Sequence, residues 1–520
     1  MLKYVALIFS IGISIILGGK LIVIKYKKII EHENLKFGIT RDQNATLIGV
    51  VENTYYEKII IPNRVNDFSV TSISDDCFKS NKEIKYVFIP NSIAYLGKAC
   101  FFRAFNLETV IFEKDSKITS IEPSTFSFNE SGGNLKTIII PKSVKKIGDY
   151  AFAHSKNLTE VIFEEGSELE IIGTCAFLDN VNLSQFVIPE KVKIIGSQAF
   201  LNASKIETLY IPKNVEKIED AAFDGTINLK EVLFEDNIKL KFIGDYAFRH
   251  TRSLKSITIP KSVKYMGAYM LAGAYRLETI TIPFIGQRKD VSTGPQAQFG
   301  VIFGQRYFDY SYPVYYFEEQ KENSNHFLSS KDYYLPMSLK SIVITNGKKI
   351  PPYAFAFMPT KNYYEKSYIE SITLPKETIS IGLNAFFNLN NLVTMTIPKK
   401  VEVIDKSAFY GVTNLSRITF EKNSRLRKIG NLCFAGASKL TNVIIPISVD
   451  SIDFSAFYGC NNITIYCEAK TKPLNWHESW NDKPPLNFSF GSWKDYNRPV
   501  YWGDEWKYDQ FKEPTILKNQ

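Results

Sequence analysis

Short stretches in which apolar and polar residues alternate recur along this chain at near-constant intervals. In SLKSITIP (253–260) the alternation puts Ile257 and Ile259 on one face and Thr258 on the other. In NLTEVIFEE (157–165) Val161 and Phe163 likewise oppose Ile162. That is the period of a strand. A Leu or Ile leads into each strand, a Val or Ile and then an Ile follow it, and an Ala-Phe or similar pair closes the unit, as in KSVKKIGDYAF (142–152). The second residue of that pair falls at Phe78, Phe101, Phe126, Phe152, Phe177, Phe200, Phe223, Phe248 and Leu271, and again at Phe355, Phe386, Phe409, Phe434 and Phe457. Apart from two gaps the spacing is 23, 25 or 26 residues. One such unit cannot bury its own apolar side, so the units must stack, with strands in a parallel sheet and columns of Leu, Ile and Phe as a continuous core.

The punctuation fits a stack. Pro after most strands removes a backbone donor and ends the ladder, while the 25-residue units carry an acidic turn there instead, as in FEEGSEL (163–169). Gly stands four residues before the Phe at 97, 148, 173, 196, 244, 267, 382 and 430, but Pro351 holds the same slot. Pro cannot adopt a positive φ, so the slot asks for a close approach of backbones rather than for a left-handed residue.

These copies of I-P-x-x-V-x-x-I-G-x-x-A-F-x-x-x-x-x-L-x-x-I-x-I-P, over roughly residues 35 to 470, resemble the BspA-like leucine-rich repeat family of surface proteins. The resemblance implies a mainly β, curved leucine-rich repeat solenoid with a parallel sheet and short helical or irregular turns, exported for adhesion or protein binding. FGITRDQNATLIGVVENTYYEKIIIP (37–62) looks like the strand pair that opens such arrays, and IPFIGQ (282–287) with FGVIFG (299–304) resembles an insertion found in the family. The expected organisation is a hydrophobic leader with a basic flank (1–34), an N-terminal cap (35–62), repeats (63–283), an aromatic-rich insertion (284–338), further repeats (339–470) and a Trp/Pro-rich C-terminal cap (471–520).

Two segments depart from the array. RYFDYSYPVYYFEE (306–319) concentrates Tyr307, Tyr310, Tyr312, Tyr315 and Tyr316, which suit either a contact surface or a loop folding its rings onto the solenoid. All five tryptophans lie at 476, 480, 493, 502 and 506. An array needs its last strand and exposed core covered, so the Trp-rich end is expected to cap it, with a carbohydrate-stacking platform as the alternative.

The first residues are of another kind. Tyr4 to Ile24 form an apolar run broken only by Lys20, long enough for a membrane-spanning helix and also fit for a signal peptide. Lys25, Lys27 and Lys28 on its carboxyl side would hold the body in the cytoplasm by the positive-inside tendency. The family resemblance favours export, hence a surface-anchored or secreted protein.

Composition adds little until it is divided. The 520 residues are 45% hydrophobic and 22% charged, which excludes a disordered chain. Of the net charge of +9, the five lysines among the first 28 residues account for five, leaving +4 for the rest. That gives no electrostatic case for nucleic-acid binding. His32, His154, His250, His326 and His477 show no metal-ligand or triad spacing, and HExxH, GxSxG and GxxxxGK[ST] are absent. No catalytic residue, metal or cofactor is therefore assigned. Cys460 and Cys467, either side of a terminal strand, are the candidate disulfide.

The outward column of the sheet is the most informative surface. Its central position reads Phe88, Ile111, Ile139, Ile162, Val187, Tyr210 and Leu233, and then turns threonine-rich as Thr258, Thr281, Val343, Thr373, Thr396, Thr419 and Ile444. β-branched residues suit any sheet surface, but a run containing Phe, Tyr and Leu marks a candidate face for a protein or glycan partner. The alternative is a structural spacer that self-associates.

Overall fold

The computed structural model describes residues 6–9, 12–17, 20–24, 26–52, 54–128, 132–289, 291, 293–305, 311–316, 331–357, 367–481, 499–510 and 513–517. The structure is almost wholly β. Among the described residues the only helical pieces are two 3-10 turns, Pro295–Ala297 and Phe299–Ile302. The chain divides into two compact units, Met1–Leu229 with Glu235–Leu240, and Lys230–Phe234 with Lys241–Gln520.

The apolar run at the amino end does not form the expected helix. Ala6–Phe9, Gly12–Leu17 and Lys20–Ile24 are strands paired antiparallel in sequence order. Nine of the 21 residues of the run are β-branched, and Gly12 and Gly18-Gly19 punctuate it, so local preference favours hairpins over a continuous helix. No helix among the described residues is long and apolar enough to cross a membrane.

In the first unit Lys28–His32, Leu35–Ile39 and Asn44–Val50 form an antiparallel meander whose last strand pairs in parallel with Phe68–Ile73. The repeats then build two ladders. The long one runs through Lys58–Ile60, Tyr86–Ile89 and Thr109–Phe112, and again through Thr137–Ile140, Glu160–Phe163 and Gln185–Phe186. The short one pairs Ser120–Ile121, Lys146–Ile147, Ile171–Ile172, Ile194–Ile195 and Lys217–Ile218 in register, so that Ile121, Ile147, Ile172, Ile195 and Ile218 form one buried column. Along the third side the Phe rings stack face to face. From Phe78 through Phe101, Phe126, Phe152, Phe177 and Phe200 to Phe223, successive centroids are 5.2 to 5.4 Å apart.

The second unit repeats this construction. Phe355, Phe386, Phe409, Phe434 and Phe457 make a second ring stack. The residues expected as an insertion partly rejoin the stack. Phe299 packs 5.1 Å from the Phe355 ring, its amide donates to Ala354, and Leu271 donates to Ile302, so this segment acts as an irregular turn of the solenoid. At the carboxyl end Val500–Tyr501 extends the long ladder beyond Thr464–Cys467. Trp476, Trp480 and Trp506 are buried there, and the Trp476 and Trp506 indoles donate to the Val449 and Cys467 carbonyls.

Two details explain the punctuation. Gly196 is outside the left-handed region, and a Cβ on it would stand 2.7 Å from the Gly173 carbonyl carbon of the preceding turn. Close approach is therefore its requirement. Left-handed residues instead flank the Phe, as Tyr150 (φ 57) and His154 (φ 60) flank Phe152.

The acidic turns act between neighbours. Glu113, Glu164, Glu235, Glu421 and Glu468 each accept the amide of the residue after the proline one turn earlier, at Asn91, Lys142, Lys213, Lys399 and Ile447, over 2.8 to 2.9 Å. Glu421→Ala should cost about 1 kcal/mol, the usual worth of one such bond. Urea unfolding of the variant beside a control at the exposed Lys422, expected within about 0.5 kcal/mol of wild type, checks this.

Candidate ligand-binding face

Strand alternation directs Val87 and Ile89 into the core and leaves Tyr86 and Phe88 outside. In-phase pairing then lines up the outward residues, Ile60 beside Phe88 beside Ile111, and Ile139 beside Ile162. Ile60, Ile139 and Val187 are 53%, 48% and 74% exposed, Ile111, Ile162 and Tyr210 are also exposed, and Phe88 is half-buried. Within the first unit this apolar column covers seven turns, roughly 29 Å at about 4.8 Å per strand. Ile60 was not among the sequence candidates, because it lies in the segment read as a cap. The triplet Ile59-Ile60-Ile61 before Pro62 is the signal that extends the column. Leu233 is exposed in the second unit.

A polar column flanks the stripe at Lys58, Thr109, Thr137, Glu160, Gln185 and Thr208. At one end partial desolvation, and then the charges of Glu235 and Glu190, raise the Tyr210 phenol above its ordinary value. It stays a neutral hydroxyl at physiological pH.

The stripe carries a notch. Phe186 fills a slot held elsewhere by Val, Ile, Leu or Met, and its ring meets Phe163, Phe177 and Phe200 edge-on. The strand is cut to Gln185–Phe186, and the ladder does not continue to Thr208–Ile211. An open cleft of about 550 Å³ results, lined by Ile162, Val187, Glu160, Glu164, Gln185 and Lys191 among others. Chemically, this face offers apolar contact with a charged rim and no nucleophile–base pair.

In the second unit the same column is mostly threonine and ends under a cover. Tyr466 is buried against Tyr501 and Trp506, and the hairpin Trp506–Tyr508/Pro514–Ile516 is tied by Glu513 to Arg417 at 2.6 Å.

The remaining candidates fall as follows. Tyr307 and Tyr310 lie outside the described residues. Tyr312, Tyr315 and Tyr316 belong to Ser311–Tyr316, which pairs antiparallel with Lys331–Pro336, and Tyr334 of that hairpin donates to Gly304. Cys460 and Cys467 are buried and stand as thiols rather than as the expected disulfide. The Cys460 thiol turns into the core toward the Phe434 carbonyl at 3.1 Å, while burial pushes the Cys467 thiol up to about 12. His154 Nδ1 lies 3.0 Å from Asp179. Among the described residues no group of three or more His, Cys, Asp or Glu could hold a metal ion.

The sequence profile described as BspA type Leucine rich repeat region (6 copies) matches residues 49–132, 127–240, 237–287 and 356–475, well over half of the chain. This chain belongs to the BspA-type leucine-rich repeat family. Solved structures similar to it include a leucine-rich repeat protein from Bacteroides ovatus, 22% identical over 85% of this chain and 100% of its own, with a TM-score of 0.46. A leucine rich cell surface protein from Faecalibacterium prausnitzii is 18% identical over 84% and 88%, with a TM-score of 0.29. The pneumococcal vaccine antigen PcpA is 18% identical over 88% and 98%, with a TM-score of 0.28. No curated protein matches this BspA-type chain. Its family is one of repeat proteins that bind other molecules or serve at surfaces.

Proposed function

We propose that this BspA-type protein is a non-catalytic binding protein displayed at a cell surface, and that it holds a protein partner against the apolar stripe of its first unit. The observation that carries this reading is the outward apolar residue at each of seven successive turns from Ile60 to Tyr210, set beside a column that is mostly threonine in the second unit. Sheet propensity is served equally well by threonine. The first unit instead exposes large side chains, as contact surfaces for proteins do. The polar column beside them supplies the rim.

Two assays test the display and the partner class. Protease applied to intact producing cells should digest the array, and full protection would place it inside and end the surface reading. The purified chain should bind intact cell monolayers saturably, and trypsin treatment of those cells beforehand should abolish binding. Binding that survives trypsin would exclude a protein partner.

A further inference from the structure

The second unit contains a break of a different kind. Its short ladder pairs Phe242–Ile243 with Tyr265–Met266 and resumes only at Lys349–Ile350. Between them the chain turns back, so that Arg288 bridges Tyr265 antiparallel and Met266 donates to the Gln287 carbonyl. The edge of Lys349–Ile350 on this side is therefore not laddered to a parallel neighbour. An open cleft of about 530 Å³ lies between the reversed segment and residues 344–351.

Among the described residues its charge is one-sided. Lys289, Lys348 and Lys349 line it, all exposed, and the sole acid described in the lining is Glu377. That carboxylate is engaged by Lys400, whose hydrogen bond holds its pKa below the usual range, with Lys348 adding to the effect. Elsewhere, lysines of one turn are matched by acids of the turn before, as at Lys85–Glu57, Lys191–Glu168 and Lys193–Glu170. Among the described residues no ion pair of this kind is seen for Lys289, Lys348 or Lys349. The floor is apolar, from Ile285, Val291 and Ile344.

We propose that this cleft is an anion site for a phosphate- or sulfate-bearing polysaccharide. Three lysines lining one recess supply point charges suited to ester oxyanions, and among the described residues no arginine lines it for bidentate capture of carboxylates. Among the described residues the only aromatic in the lining, Phe284, is buried and offers no platform on which nucleic-acid bases would stack. The site is independent of the apolar stripe.

The test uses the full chain and a sulfated heparin decasaccharide, with a phosphorylated mannan fragment, neutral dextran, poly-glutamate and a single-stranded dT20 as further arms. The decasaccharide or the phosphomannan should bind with an affinity that falls as salt rises, and dextran should not bind. K289E/K348E/K349E should weaken that binding at least tenfold, and K289Q/K348Q/K349Q by less. A first-unit control, K146E/K205E/K217E, removes the same charge from exposed lysines and should leave binding within about twofold. Thermal melting of each variant confirms that these surface changes leave the fold intact. Wild-type affinity in the cleft variant, or no binding of either charged glycan, overturns the proposal. Equal, cleft-dependent binding of dT20 or poly-glutamate overturns the choice of a glycan.

Discussion

Phe152→Ala should lower the stability of the first unit by about 3–5 kcal/mol, the larger of the two stability effects expected here. The ring is fully buried and lies 5.4 Å from Phe126 and 5.2 Å from Phe177, in near-parallel stacks on both sides. Truncation removes both contacts and leaves a void that rigid neighbouring turns cannot collapse to fill. In a stacked array each turn touches only its neighbours, so the damage should be local before it is global. Hydrogen exchange should show lost protection at the turns around residues 126, 152 and 177, with the second unit little changed. Phe152→Leu, which keeps most of the volume, should cost about 1–2 kcal/mol. Equal stability of the alanine variant and wild type in urea would mean that the ring column does not bear the load assigned to it.

Ile139→Lys with Ile162→Lys should reduce trypsin-sensitive cell binding by more than tenfold. Both side chains are exposed and stand directly opposite one another on adjacent strands. Replacing them removes apolar contact from the centre of the stripe and places two ammonium groups where a partner would have to desolvate them. Like charges facing across strands cost a few tenths of a kcal/mol, so melting should shift only slightly. A second variant, I139T/I162T, separates binding from propensity. Threonine is the second unit's own choice in this column, so the sheet should tolerate it while the contact area is lost. Unchanged binding by both variants would remove the stripe from the function.

Much of this architecture was legible in the chain. The Phe spacing marks every ring of the two stacks, and the alternation within each strand identifies which residues face out. What was hidden depended on contacts between turns. The glutamates after Phe112, Phe163, Phe234 and Phe420 read as solvated turns, and only the register shows them accepting an amide from the turn before. Phe186 reads as one more core residue, although its bulk ends a ladder and opens a cleft. The apolar run at the amino end has the length of a membrane helix, yet its β-branched residues and glycines form short strands instead. The fold of residues 293–304 into a turn of the solenoid carries none of the repeat's signature, because packing against Phe355 rather than local pattern shapes it.

The glutamate bonds also bear on how such an array can lengthen. In all five cases the acid serves a proline turn immediately before it, so the two turns form a donor and acceptor couple. Copying the couple as a block reproduces a satisfied joint. Deleting the glutamate member alone strands the amide after the proline, and inserting a turn between the two moves the carboxylate one layer out of reach. The unit of inheritance in this part of the chain is therefore the pair, with the single proline turns as the pieces that can be added freely.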